Sequence, residues 1–264
     1  MKFTFEEAKM KEKNTRREFL RASAIVGAGL VMSSCAGGNR NQSGQQTNSQ
    51  SSAKSDENQK GIEVTATEDL MREHGVLRRA LLVYRAAAEK LRANASDVPP
   101  DALQKTAKLF RSFGEDYHEK KLEEAYIFPA VKQAGGQAAS YPDILVVQHN
   151  RGREITEYVI AITRGAKLGA ANAVELAKSL DAFVLMYQHH AAREDTIIFP
   201  AWKQTMTAKQ YDEMGDKFED IEKEQFGSDG YEAAVKQIAD IEGSLGLADI
   251  SRFTAPPPPK VSGT

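Results

Sequence analysis

Residues 118–133 (HEKKLEEAYIFPAVKQ) recur 71 residues later as residues 189–204 (HHAAREDTIIFPAWKQ), with eight of the sixteen positions identical. The shared positions include a His, a Glu and an Ile-Phe-Pro-Ala run. The chain has five histidines, His74, His118, His149, His189 and His190, and all of them fall in this repeat or at matching points on neighbouring helical segments. Histidine and carboxylate brought together twice on helices is ligand chemistry for a transition metal, and for a pair of them.

The ends of the chain carry different signals. Thr15-Arg16-Arg17-Glu18-Phe19-Leu20-Arg21 sets a twin arginine before an apolar stretch, residues 22–32. That stretch suits a signal-peptide core and is too short to span a bilayer. The pattern resembles a twin-arginine export signal, a receptor-read address. Cys35 is the only cysteine, which excludes an intrachain disulfide and a thiolate cluster. Its setting, Val31-Met32-Ser33-Ser34-Cys35-Ala36-Gly37, resembles a lipoprotein box, with Met32 where leucine is usual. Residues 36–60 are rich in Gly, Ser, Asn and Gln and read as a flexible tether. The expected organisation is therefore a signal peptide with lipobox over 1–35, a linker over 36–60, one domain over 61–253 and a Pro-rich tail over 254–264. The expected location is the periplasm or cell envelope, with a membrane anchor through lipidated Cys35. A net charge of −2 with interspersed signs gives no basic stripe, so no nucleic-acid partner is expected.

The domain reads as all-α. Thr65 with Glu68 resembles a capping box opening a helix near Ala66, whose seam runs Leu70, His74, Leu77, Leu81, Tyr84, Ala88 and Leu91. Pro99-Pro100 ends this stretch and starts a second helix near Asp101, with Leu103, Ala107, Phe110, Phe113 and Tyr117 leading into His118. Gly135-Gly136 closes it. Pro142 sits where a third helix begins, presenting Leu145, His149, Gly152, Thr156 and Val159. The fourth runs from about Asn172 through Leu176, Leu180, Phe183, Tyr187, His190, Glu194 and Ile197. Four long amphipathic helices with short connections predict an up-down-up-down four-helix bundle.

The seam and the repeat disagree over one residue. At about 100° per residue, His190 and Glu194 lie ~40° apart, while His189 lies ~140° from Glu194. The repeat aligns His118 with His189 instead; the seam favours His190. On helix two the step from His118 to Glu123 is five residues, ~140° on a regular helix, and Leu122 holds the easier position. Either a local π-bulge restores the register or long side chains bridge the gap. Glu119 and Glu124 are the alternatives, ordinarily solvated, and Glu119 is the one to watch. Tyr117, Tyr126 and Tyr187 are candidate donors to the site.

Several segments together resemble bacterial hemerythrin-like proteins with a His-His-Glu cation-binding domain. They are Asp69-Leu70-Met71-Arg72-Glu73-His74-Gly75-Val76-Leu77-Arg78, Asp116-Tyr117-His118-Glu119-Lys120, Leu122-Glu123-Glu124-Ala125-Tyr126-Ile127-Phe128-Pro129 and Ala192-Arg193-Glu194-Asp195-Thr196-Ile197-Ile198-Phe199-Pro200. The stretch 218–253 resembles the family's additional C-terminal helices. The resemblance implies a hemerythrin-like bundle holding two non-heme irons bridged by carboxylates, with His74, His118, Glu123, His149, His190 and Glu194 as ligands. Oxygen-carrying hemerythrins have a further histidine where this chain has Arg153, which puts reversible O₂ storage in question.

Three functional readings follow. The preferred one is a binder of O₂, NO or a peroxide-type species for sensing, sequestration or buffering, without turnover. The second is a di-iron oxidoreductase consuming peroxide or NO. It needs an external electron donor, because the chain shows no second redox centre, thiol pair or dinucleotide motif. The third is a zinc or mixed-metal protein, since imidazole also suits zinc, copper and nickel.

Overall fold

The computed structural model describes residues 64–165 and 168–259; the export signal, Cys35 and the linker predicted over residues 1–60 lie outside the described residues. Helix α1, Ala66–Ala93, opens where Thr65 accepts a hydrogen bond from the Glu68 N–H. Acidic Glu68 and Asp69 sit at its positive end, and Lys90 and Arg92 at its negative end. Every seam residue from Leu70 to Leu91 is buried. Helix α2 covers residues 100–134 in three stretches: α-helical Pro100–Leu109, π-helical Phe110–Ile127 and α-helical Phe128–Ala134. It stops at Gly135, whose φ of 75° favours glycine. Helix α3, Pro142–Ile162, starts with proline in its first turn, where a missing N–H costs nothing. Helix α4 covers residues 170–203, again in three stretches: Ala170–Arg193, a π-helical Glu194–Ile198 and Phe199–Lys203.

The two π segments explain what the repeat encodes. In each copy the Phe of Ile-Phe-Pro donates its N–H five residues back to the carbonyl of the glutamate shared by the two copies, Phe128 to Glu123 and Phe199 to Glu194. The next residue is Pro129 or Pro200, which has no N–H and presses against the carbonyl four residues earlier. Widening the turn ahead of the proline relieves that conflict. The register shifts accordingly: beyond Glu194 the buried seam position is Ile198, and the predicted Ile197 is only partly buried.

Helices α5, Ala208–Phe226, and α6, Gly230–Leu245, pack against α1 and α2. Trp202 at the end of α4 stacks on Phe218 of α5, 5.5 Å between ring centroids, and Arg79 of α1 pairs with Glu242 of α6. The fold is thus an all-α bundle with additional C-terminal helices. Among the described residues there is no strand, and no helix is long and apolar enough to cross a membrane.

Candidate metal centre

Six side chains from four helices converge in the bundle interior: His74 (α1), His118 and Glu123 (α2), His149 (α3), His190 and Glu194 (α4), each no more than 3 % exposed. The imidazoles form two pairs. His74 Nε2 lies 3.0 Å from His118 Nε2, and His149 Nε2 lies 3.0 Å from His190 Nε2. Each glutamate spans both pairs. Glu123 points Oε1 at His118 (3.3 Å) and Oε2 at His149 (3.4 Å). Glu194 points Oε2 at His74 (3.5 Å) and Oε1 at His190 (2.9 Å). Among the described residues, none of these four carboxylate oxygens has a hydrogen bond of regular geometry.

The backbone decides which histidines enter. On the π-helical part of α2, residues five apart share a face, so His118 meets Glu123. Ahead of Glu194 the helix is α, residues four apart share a face, and His190 enters. His189 is exposed, and its ring and carbonyl contact Arg193.

All four imidazoles are turned by their Nδ1 atoms. His118 Nδ1 meets Glu73 Oε2 at 2.6 Å, His149 meets Glu124 Oε1 at 2.8 Å, His190 meets Gln148 Oε1 at 2.8 Å and His74 meets Asp195 Oδ1 at 2.7 Å. With Nδ1–H donated outward, each neutral ring keeps its Nε2 lone pair pointing inward. The braces run around the bundle. A residue of α1 holds the histidine of α2, α2 holds α3, α3 holds α4, and α4 holds α1. Each brace is the sequence neighbour of a residue in the site yet serves the next helix. That crossing is why sequence spacing did not reveal Glu73, Gln148 and Asp195, and why Glu124 looked like a solvated charge.

The repeated phenylalanines close the site from opposite sides. Phe199 stacks on His74 (5.3 Å) and Phe128 on His149 (5.5 Å). Of the three candidate tyrosines, Tyr117 donates to Glu73 (3.0 Å) and Tyr187 to Glu119 (2.7 Å). Tyr126 packs instead against Phe218 and Lys217. Tyr187 reaches past Gly152, where a Cβ would stand 2.0 Å from its hydroxyl. Glu119 is buried and paired with Arg153 (3.1 Å), which also binds Glu124 (2.7 Å). Arg153 therefore neutralises two carboxylates at the outer edge of the site.

The electrostatics suit a cation. Burial opposes charge on His118, but Glu123 and Glu73 outweigh it and hold its pKa well above the usual value. His149 is likewise penalised by burial yet pushed up to about 10 by Glu119, Glu123 and Glu124. Burial raises Glu123, but His118 and His149 override it and hold the carboxyl well below its ordinary range. Without a metal, protons must fill this role. A metal displaces them. Two nitrogen ligands ~2.1 Å from one metal and at right angles to each other stand ~3.0 Å apart, the spacing of both imidazole pairs. Four buried carboxylate oxygens without hydrogen bonds would be costly in a finished core; facing two cations they are in place. The residues fit a pair of metal ions.

Residues 65–202 match the hemerythrin HHE cation binding domain. Over 194 residues the chain is 44% identical to uncharacterized proteins of Mycobacterium bovis and Mycobacterium tuberculosis, covering 73% of this chain and 75% of theirs. No solved structure matches it. With a helical bundle that buries a His/Glu cluster, this chain belongs to the hemerythrin HHE cation-binding family and is a metal-binding protein.

Proposed function

We propose that the protein holds two iron ions, each between one imidazole pair, bridged by Glu123 and Glu194, and that it binds O₂, NO or a peroxide-type ligand at this centre. The ligands are His74 and His118 for one ion, His149 and His190 for the other. The observation that carries the reading is the set of four hydrogen-bond-free carboxylate oxygens, buried between four inward Nε2 atoms. Bound iron supplies a redox-active centre with coordination positions for a small ligand. The chain's own residues orient the imidazoles through Glu73, Glu124, Gln148 and Asp195, and exclude bulk water with Phe128 and Phe199. The twin-arginine segment and Cys35 support export and attachment to the cell envelope.

Binding without turnover is preferred to catalysis because the chain carries no thiol pair or dinucleotide motif to deliver electrons. Titrating the iron-loaded protein with O₂, NO and hydrogen peroxide separates the two. Binding gives a saturable, reversible absorption change. Multiple turnovers of peroxide or NO with an added reductant would instead establish an oxidoreductase.

A further inference from the structure

A small cavity opens beside the imidazoles, and among the described residues its walls come from α1, α2 and α4. Leu77, Leu81, Phe110 and Ala191 make it largely apolar, while His74, His118, His190 and the site carboxylates form its floor. Its free space is about that of a single water molecule. Among the described residues lining it, Arg78 is the exposed one, its side chain 43% accessible, so the mouth lies there. Arg78 Nη2 pairs with Asp195 Oδ2, while Asp195 Oδ1 holds His74 Nδ1. One carboxylate therefore anchors both the guanidinium at the mouth and an imidazole of the floor.

We propose that Arg78 is the mouth residue that selects a small anion for this cavity. A guanidinium at the rim of a narrow, apolar-walled opening concentrates anions there and speeds their capture. An incoming anion also offers the guanidinium a partner in place of Asp195, so the side chain swings aside as the anion passes. A neutral diatomic molecule gains nothing from this exchange and meets Arg78 only as an obstruction. A ligand larger than one water enters as Arg78 and the apolar wall yield, and the arginine sorts such ligands by charge. The inference rests on the proposed metal centre, since the anion's destination is the metal.

The test follows the association of azide with the oxidised, iron-loaded protein, and of NO with the reduced protein, by stopped-flow absorption. At low salt Arg78→Ala slows azide association about tenfold and flattens its salt dependence, while NO associates at the parental rate or faster. Arg78→Lys restores most of the azide rate, and Arg85→Ala, removing an exposed arginine two turns further along α1, changes neither. An unchanged azide rate in Arg78→Ala with parental metal content overturns the proposal. So does equal slowing of azide and NO, which would indicate a disturbed His74. Absence of iron, or of any azide band, in the parent protein would instead overturn the metal reading itself.

Discussion

Glu194 and His189 are five residues apart on one helix, yet one is sealed inside the bundle and the other is exposed. Glu194 offers an oxygen to each imidazole pair, so in the proposed centre Glu194→Ala removes one of the two bridges and leaves Glu123 as the remaining shared carboxylate. Metal content should fall from two ions per chain to one or none, read by elemental analysis. His189→Ala should retain both ions, because His189 is exposed and, among the described residues, hydrogen-bonds Arg193 rather than a residue of the site. If His189→Ala empties the site, the pairing of His190 with Glu194 is wrong. The four braces differ in one respect: three are carboxylates and the fourth is the amide of Gln148. A carboxylate on Nδ1–H raises imidazole basicity more than an amide does, so the two halves of the centre are chemically unequal.

At the scale of elements, the seams of all four helices were legible because apolar residues recur at intervals of three and four. The first three seams are buried throughout. The fourth strays only at its end, where the π segment moves burial from Ile197 to Ile198. The five-residue step from His118 to Glu123 left a π-bulge and long side chains as alternatives, and α2 answers it with a π segment of 18 residues. Such a stretch is invisible to α-helical periodicity; the proline after each Ile-Phe marks where it must end. The braces stayed hidden for a different reason: no residue spacing within one helix reports a contact to the next. Pro129→Ala tests the element directly. Restoring the N–H and removing the clash favours a regular α-turn, which should stabilise the metal-free protein by about 1–3 kcal/mol. The same change turns Glu123 away from His118 and should weaken metal binding at least tenfold. Denaturant unfolding and metal competition with a chelator read the two effects. Stability and affinity moving together would refute this role of the π segment.

Across the whole molecule, α2 carries a column of buried carboxylates at four-residue intervals, Glu115, Glu119 and Glu123. Glu115 is fully buried, with Thr156 Oγ1 2.5 Å from Oε1 and Arg111 Nε 2.9 Å from Oε2. Burial dominates and raises its pKa from 4.5 to about 7, with Thr156 opposing and Glu119 adding to the rise. The folded state thus binds this proton more tightly than the unfolded state does. Its contribution to stability is fully present below about 4.5 and is lost as pH rises through about 7. Glu115→Gln removes that dependence, so between pH 5 and pH 8 the variant should gain on the order of 2 kcal/mol relative to the parent. Denaturant unfolding of the metal-loaded proteins at both values provides the check. An identical pH dependence in the two would show that Glu115 is not held protonated by its surroundings.

In the proposed centre the bundle core holds two metal ions bridged by Glu123 and Glu194. Elemental analysis with an absorption spectrum, on the chain from Gly61 onward purified in air, tests this most directly. Two irons per chain and the near-ultraviolet bands of a bridged iron pair are expected. One ion per chain, zinc with no colour, or a folded helical protein without metal would contradict the proposed centre.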